Sequence, residues 1–103
     1  MQPCVYILAS RRNGTLYVGM TTNLARRMTQ HRDGVFDGFT RRHGVSRLVW
    51  VEPQHTIGDA VTRERRIKRW RRTWTLALIE RTNPTWRDLY EEFFGPTDDD
   101  GAE

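Results

Sequence analysis

The amino-acid sequence predicts an α+β fold in which a small three-stranded antiparallel sheet is flanked by helices. Two short segments, 4–8 and 16–21, have the alternation of strands and are joined across an Asn-Gly turn signal. A third segment, 47–52, is rich in β-branched and aromatic residues and is ended by Pro53. Helical periodicity accounts for most of the remaining chain, so the element order is β-β-α-β-α-α.

The register of the first two strands places two tyrosines on one face of the sheet. A hairpin loop of either two or four residues gives the same parity, so Tyr6 shares a face with Tyr17 and Gly19. With a four-residue loop, Tyr6 lies opposite Gly19, which leaves space beside the tyrosine ring. The two phenols are then diagonal neighbours about 7 Å apart. Because tyrosine is an ordinary strand residue, this parity alone leaves a purely structural role open.

The first helix is predicted to begin at a threonine cap and to run to about His31. Thr21 or Thr22 supplies the cap, and Arg27 and His31 follow at a spacing of four residues. Side chains four residues apart lie on the same face of a helix, so these two point the same way. The glycine-containing segment 32–46 is predicted to be a structured loop.

Two helices, followed by a last short helical segment that the element order above leaves out, are predicted in the second half of the chain. A long helix covers about 58–72 and a shorter one covers about 73–81, before Asn83-Pro84 interrupts the pattern. A last short helix over 86–94 is expected to pack its apolar side chains, Trp86, Leu89, Phe93 and Phe94.

Composition predicts one domain over residues 1–94, followed by an acidic and disordered tail over 95–103. The chain has 103 residues, and 37% hydrophobic and 29% charged residues are typical of a globular protein. No segment approaches the roughly 20 apolar residues of a membrane span, and no signal peptide opens the chain, so we expect a cytoplasmic protein. The single Cys4 excludes an internal disulfide and a cysteine zinc cluster, and it is expected to be a small buried side chain.

The body of the protein is strongly basic, which indicates a polyanionic partner. Residues 1–94 carry 17 basic and nine acidic side chains, a net charge of +8. Such a charge is most often used to bind nucleic acid, although exposed arginines are also common on solvated helix faces. The predicted nucleic-acid contacts are Arg41, Arg42, Arg65, Lys68, Arg69 and Arg72.

One carboxylate stands out in the long helix. Glu64 falls in the inward-facing stripe that Ile57, Ala60, Val61 and Ile67 define. An unpaired carboxylate in that position is costly, so Glu64 must meet either a metal ion or a cation such as a neighbouring arginine. The two alternatives are a metal ligand and a structural salt bridge.

Taken together, these residues fit phosphodiester hydrolysis with one metal ion. Glu64 would hold Mg²⁺, which suits one carboxylate together with waters and substrate oxygens. Arg27 would hold the phosphate, and a tyrosine phenol would act as the general base. A free tyrosine has a pKa of about 10, so the base needs nearby positive charge.

Specific motifs resemble those of the GIY-YIG nuclease superfamily, in particular its small single-domain bacterial proteins. "CVY" at 4–6 and "YVG" at 17–19 are similar to the paired tripeptides of the superfamily, with Cys4 and Val5 in place of Gly and Ile. The same resemblance supplies positions downstream, namely Arg27, His31, Glu64, Asn83, a "GFT" loop at 38–40, and an ending from Asn83 to Leu89.

The resemblance implies a DNA endonuclease that depends on one divalent metal ion, Mg²⁺ or alternatively Mn²⁺. It implies that Tyr6 is the base, that Tyr17 assists it, and that Arg27 and His31 are further catalytic residues, with Glu64 as metal ligand. Gly19 would shape the site and Asn83 would be a peripheral helper. We expect a monomer that acts on single-stranded or branched DNA, with DNA repair as its setting.

Two other functions are compatible with the same sequence. The chain can be a nucleic-acid-binding module without catalysis, in which case the loss of Glu64 would leave binding unchanged or tighter. It can also be an interaction protein whose basic helix docks an acidic partner or its own acidic tail. The coincidence of five spaced site positions favours the enzyme.

Overall fold

The computed structural model describes residues 2–33 and 43–94 and confirms the predicted α+β architecture. Its three antiparallel strands are β1 (Cys4–Ala9), β2 (Leu16–Thr21) and β3 (Arg47–Pro53), in the order β2-β1-β3. The helices of this part of the chain are α1 (Leu24–Asp33), α2 (Ile57–Arg69), α3 (Arg72–Thr82) and α4 (Tyr90–Phe94). The central strand β1 is buried along its whole length. From the strand order, β2 and β3 form the two edges of the sheet.

Some of the predicted features lie outside the described residues. They are the acidic tail at 95–103, most of the loop at 32–46 with its "GFT" segment, and the predicted nucleic-acid contacts Arg41 and Arg42. The packing predicted for the Phe93 and Phe94 side chains also lies outside what the structure describes.

The β1–β2 hairpin has the four-residue loop. The amide of Ser10 donates to the Thr15 carbonyl at 3.0 Å, and the loop lies between these two residues. Asn13 takes a left-handed backbone conformation with φ 57°, which asparagine tolerates better than most residues. The resulting register pairs Tyr6 with Gly19 and Leu8 with Tyr17, as the predicted alternation requires.

Each face of the sheet covers a separate hydrophobic cluster. On one face, Val5 and Ile7 of β1 pack with Ala60 and Ile67 of α2 and with side chains of α3. On the other face, Tyr6 and Leu8 pack with Met28 of α1 and with side chains of β3 and of the C-terminal segment, including Leu48 and Leu89. Successive side chains of β1 thus point alternately into the two clusters. The face that carries Tyr6 and Tyr17 is called the tyrosine face, and α1 covers it.

The helix boundaries differ from the predicted ones at two caps. The N-cap of α1 is Asn23, not Thr21 or Thr22, because the Asn23 side chain accepts the Arg26 amide at 3.1 Å. Thr21 instead accepts the Asn23 amide at 3.0 Å and so shapes the turn that precedes the helix. The long helix ends at Arg69, not at residue 72, because Trp70 adopts extended backbone.

The apolar stripe of α2 is narrower than predicted. Ala60 and Ile67 are buried, but Ile57, the first residue of α2, is 56% exposed. The inward stripe therefore begins at Ala60, and Glu64 lies between its two buried members in sequence.

The last helix begins at Tyr90, so the prediction of a helix over 86–94 is wrong for 86–89. Trp86 has φ 60°, a left-handed conformation that directs its fully buried ring into the core and that no α-helix contains. The next residues bond to the outer side of β3. Leu89 donates its amide to the Leu48 carbonyl at 2.7 Å, and Asp88 accepts the Leu48 amide at 3.2 Å. This segment covers a strand edge that would otherwise be open.

Asn83 acts as the structural tie between α3 and this segment. Its side-chain amide donates to the carbonyls of Val49 at 3.1 Å and Arg87 at 2.9 Å, and its oxygen accepts the Arg87 amide at 3.2 Å. The residue is 2% exposed. We expect Asn83→Ala to lower the free energy of unfolding by about 2 to 4 kcal/mol, because the substitution leaves buried backbone groups without partners.

Urea unfolding of the purified chain measures this effect, with Thr82→Ala at the exposed end of α3 as the matched control. A midpoint for Asn83→Ala equal to that of the control would contradict the assigned structural role.

Candidate active site

The tyrosine face of the sheet carries a buried hydrogen-bonded centre around Tyr6. Its ring is fully buried on the central strand, and its hydroxyl lies 3.2 Å from Nε2 of His31. Arg27 also hydrogen-bonds to the Tyr6 side chain. Because a guanidinium only donates, the Tyr6 oxygen accepts from Arg27 and can give its own proton to His31 Nε2.

The surroundings of Tyr6 favour its neutral form. Burial raises the pKa of the Tyr6 phenol above its ordinary value, the neighbouring Tyr17 raises it further, and Arg27 acts in the opposite direction. Tyr6 therefore keeps its proton at neutral pH in the protein alone.

Tyr6, Tyr17 and His31 form a compact aromatic group. Together with Arg27 they are called the tyrosine group below. The ring centroids lie 6.3 Å apart for the two tyrosines, 5.9 Å for Tyr6 and His31, and 5.4 Å for Tyr17 and His31. His31 meets both tyrosines edge-on, at interplanar angles of 68° and 67°. The helix α1 presents Arg27 and His31 one turn apart, which lets both reach the same pair of strand residues.

Gly19 is required by the close approach of the two tyrosines. A Cβ atom built at this position would lie 2.6 Å from the Tyr6 hydroxyl oxygen and 3.0 Å from Cε1 of Tyr17. Contacts this short exclude any larger side chain unless the buried Tyr6 ring moves. The Tyr6 phenol thus occupies the space that a side chain at residue 19 would need.

Glu64 lies on α2, the helix that covers the opposite face of the sheet. Its side chain is 18% exposed and forms an ion pair with Lys68 Nζ at 2.8 Å, across one helical turn. Lys68 also lines a cavity of about 430 Å³ along β2, and Tyr17 lines the same cavity. β2 is an edge strand of the sheet. Lys68 of α2 and Tyr17 of the tyrosine face therefore line one cavity at this edge, although α2 covers the opposite face.

The donor set at Glu64 suits a lightly held cation. Among the described residues, no group of three or more His, Cys, Asp or Glu side chains could hold a metal ion. A single carboxylate fits Mg²⁺, which keeps most of its waters and binds substrate oxygens. The partner of Glu64 is a lysine whose side chain is 53% exposed, and such a surface pair is broken at little cost.

The predicted nucleic-acid contacts have different surroundings. Arg65, Lys68 and Arg69 are exposed on α2, on the helix that carries Glu64. Arg72 instead donates to the carbonyls of Asn13 at 2.8 Å and Gly14 at 2.6 Å, so its side chain holds the hairpin loop against α3. Asn83 binds the backbone of β3, which lies on the far side of β1 from β2, and is not part of the tyrosine group.

Two residues near the site were not singled out from the sequence. Arg26 lines a polar cavity of about 270 Å³ beside Arg27, with Thr21, Thr22, Asn23 and Gln30. Thr75 lines the cavity of Tyr17 and Lys68. In the sequence, the adjacent pair Arg26-Arg27 could have indicated the polar cavity. The residues that α3 contributes to the cavity of Tyr17 and Lys68 could not be predicted, because they depend on how that helix packs.

Cys4 has no role in this site. It is buried in β1, where burial raises the pKa of its thiol to about 11, so the thiol stays protonated and unreactive. None of the helices in the described part of the chain has the length and hydropathy needed to cross a bilayer.

Comparisons with known proteins identify the family of this chain. Residues 2–77 match the GIY-YIG catalytic domain. A UPF0213 protein of Clostridium perfringens is 37% identical over 75 residues, which cover 73% of this chain and 80% of that protein. A UPF0213 protein of Oceanobacillus iheyensis is 37% identical over 79 residues, covering 77% and 91% of the two chains.

A solved structure extends the likeness to three dimensions. The solution NMR structure of a UPF0213 protein of Bacillus halodurans has a TM-score of 0.55 and 27% sequence identity to this chain. The match covers 88% of this chain and 96% of the other. The chain therefore belongs to the GIY-YIG catalytic-domain family and, within that family, to the UPF0213 proteins.

Proposed function

We propose that this protein is a metal-dependent DNA endonuclease that hydrolyses phosphodiester bonds at the β2 edge of its sheet. The observation that carries the proposal is the group formed by Tyr6, Tyr17, Arg27 and His31, because its member Tyr17 also lines the cavity that Lys68, the ion-pair partner of Glu64, lines. The family is of nuclease type, and a net charge of +8 on residues 1–94 suits a polyanionic substrate.

Arg27 is proposed to hold the scissile phosphate. A guanidinium forms paired hydrogen bonds to phosphate oxygens, and it stabilises the negative charge that grows on them during hydrolysis. The hydrogen bond to Tyr6 orients Arg27 before substrate binds. Arg26, which lines the adjacent polar cavity, is placed to contact a neighbouring phosphate.

Tyr17 is proposed to accept the proton of the attacking water, a role that the resemblance alone assigns to Tyr6. Tyr17 is partly exposed and lines the open cavity, whereas Tyr6 is fully buried with a raised pKa. A phenol must lose its proton to act as a base, and nearby positive charge makes that easier. Lys68 lines the same cavity as Tyr17. Tyr6 then acts as a positioning residue through Arg27, His31 and its ring contact with Tyr17.

Glu64 is proposed to hold the divalent cation, Mg²⁺ or alternatively Mn²⁺. When bound, such an ion supplies a positive charge that polarises the phosphate and stabilises its developing charge. Glu64 would exchange its ion pair with Lys68 for the cation, which releases the Lys68 ammonium to contact the DNA backbone. We propose single-stranded or branched DNA as the substrate, and a monomer acting in the cytoplasm as the working form.

A binding module without catalysis is the second candidate. The exposed arginines of α2 favour it, since Arg65, Arg66 and Arg69 can contact phosphates whether or not a bond is cut. In that case the Glu64 carboxylate repels the backbone, so its removal leaves DNA binding unchanged or tighter.

We expect Glu64→Gln to reduce metal-dependent DNA cleavage by more than about 100-fold, because an amide cannot replace the carboxylate charge at the cation. The measurement is cleavage of single-stranded, duplex, flapped and branched oligonucleotides, and of one RNA strand, with Mg²⁺ or Mn²⁺. Asp59→Asn, which removes an exposed carboxylate from the same helix, is the matched control and should retain activity.

Equal cleavage by wild type and Glu64→Gln would overturn the metal-ligand assignment. If wild type cuts no substrate with either metal but binds DNA as well as Glu64→Gln does, the binding module replaces the enzyme.

The pH dependence of the cleavage rate distinguishes the proposed roles of Tyr6 and Tyr17. We expect Tyr17→Phe to lower the cleavage rate by about 100- to 10,000-fold and to remove its rise with pH, because the base is lost. Tyr6→Phe should lower the rate but keep that rise, since the raised pKa of Tyr6 keeps it protonated across the range. Single-turnover cleavage between pH 6 and pH 10 measures both variants, and loss of the pH-dependent rise only in Tyr6→Phe would reverse the roles.

A further inference from the structure

An exposed tryptophan on α3 has no role in the site described above. Trp74 is 54% exposed, and Ile57 is the other large apolar side chain in the described part of the chain with comparable exposure. Exposing an indole ring to water is unfavourable, and large aromatic side chains left exposed often mark contact surfaces. Trp74 in addition belongs to an aromatic and cationic group.

That group surrounds a second cavity. Trp70 meets Trp74 at a centroid distance of 6.2 Å and an interplanar angle of 75°, and the two rings line a cavity of about 290 Å³. Ala77, Leu78 and Arg81 form the rest of its lining. The Arg71 guanidinium carbon lies 5.8 Å from the Trp74 ring centroid. The cavity is therefore lined by two tryptophans and by Arg81, and the Arg71 guanidinium lies against the Trp74 ring.

Aromatic walls flanked by arginines suit one kind of occupant. A nucleobase stacks on an indole ring, and the phosphates on either side of it pair with arginines. An apolar protein segment would use the rings but would gain little from Arg71 and Arg81, which are both exposed. The charge of residues 1–94 is also repulsive toward a second copy of this chain.

The position of Trp70 connects this cavity to the proposed cleavage site. Trp70 lines the cavity that contains Tyr17 and Lys68, and it also lines the cavity that contains Trp74 and Arg81. A strand that crosses the β2 edge can therefore continue over Trp70 to Trp74 without leaving a basic and aromatic surface.

We propose that the Trp70–Trp74 cavity binds one unpaired base of the DNA strand next to the bond that is cut. This inference rests on the proposed nuclease function and adds a reason for its substrate preference. The faces of bases in a duplex are covered by their stacked neighbours, so only an unpaired or flipped base can offer a face to Trp74. The cavity thus selects single-stranded segments through stacking, without reading sequence.

Binding without metal tests the proposal independently of cleavage. The probe is a thymidine 20-mer, compared with a duplex of the same length, in EDTA, so that no hydrolysis occurs. Trp50 and Trp86 are buried, so quenching of tryptophan fluorescence by the 20-mer reports mainly on Trp70 and Trp74. Affinity for each DNA is measured separately by fluorescence anisotropy of a labelled strand.

We expect Trp74→Ala to weaken binding of the single strand by roughly 5- to 100-fold, which is the usual effect of removing a stacked aromatic, and to remove most of the quenching. Duplex affinity should stay within about twofold, since it depends on phosphate contacts. Trp74→Phe should retain most single-strand affinity, because a phenyl ring still stacks. Ile57→Ala, which truncates the equally exposed isoleucine, is the matched control and should change neither affinity.

Unchanged single-strand affinity in Trp74→Ala would overturn the base-binding cavity, and if wild type still cleaves with Mg²⁺, the proposed function stands without it. Conversely, Trp74-dependent binding in a protein that cuts nothing would refute the nuclease and retain the cavity. A Trp74→Ala change confined to self-association, measured by sedimentation, would show that the surface binds protein and would also overturn the proposal.

Discussion

The structure depends on the placement of the Tyr6 phenol against Gly19 in the middle of the sheet. The contact exists because the hairpin loop has four residues, since a two-residue loop would keep Tyr6 on the same face but place it opposite Thr21 and not Gly19. Once placed, the buried hydroxyl must be hydrogen-bonded, and α1 supplies both partners, His31 and Arg27. The same contact therefore sets the register, fixes α1 on one face of the sheet, and assembles the polar residues of the candidate site.

The edge position of β2 explains how one small domain can use residues from both faces of its sheet. The tyrosine group lies on one face of the sheet, and α2, which carries Glu64, covers the other face. If further strands extended the sheet beyond β2, the sheet would separate the tyrosine group from Glu64. At an uncovered edge the two layers border the same cavity, which Tyr17 lines from the strand and Lys68 lines from the helix. The other edge is used differently, because residues 88–89 bond to β3 and Asn83 ties them to α3. One edge is thus bonded to the C-terminal segment, and the other borders the cavity at which we propose that substrate binds.

Local periodicity predicted the three strands and the shared face of Tyr6 with Tyr17, because the alternation of a strand is visible in its sequence. The position of Gly19 opposite Tyr6 depended in addition on the four-residue loop. Periodicity failed where tertiary packing decides the backbone. Trp86 leaves the helical pattern because its ring fills the core, and α2 stops at Arg69 because Trp70 turns into extended backbone. The contact of Arg72 with the hairpin loop and the existence of the Trp70–Trp74 cavity could not be predicted, since both require the docking of α3 against the hairpin and α2. The residues around Tyr6 in the candidate site carry a specific sequence pattern, whereas the surfaces beside them do not.

The central claim is that the Glu64 carboxylate and the tyrosine group act on one phosphate at the β2 edge. The most direct measurement is NMR line broadening by Mn²⁺ in the ¹⁵N-labelled protein, bound to a short phosphorothioate single strand that resists hydrolysis. The claim predicts that broadening is strongest at the amides around Glu64, extends to Tyr17 and Gly19, and is lost in Glu64→Gln. Broadening confined to the acidic residues Asp98, Asp99 and Asp100, with the amides of Glu64 and Tyr17 unaffected, would contradict it.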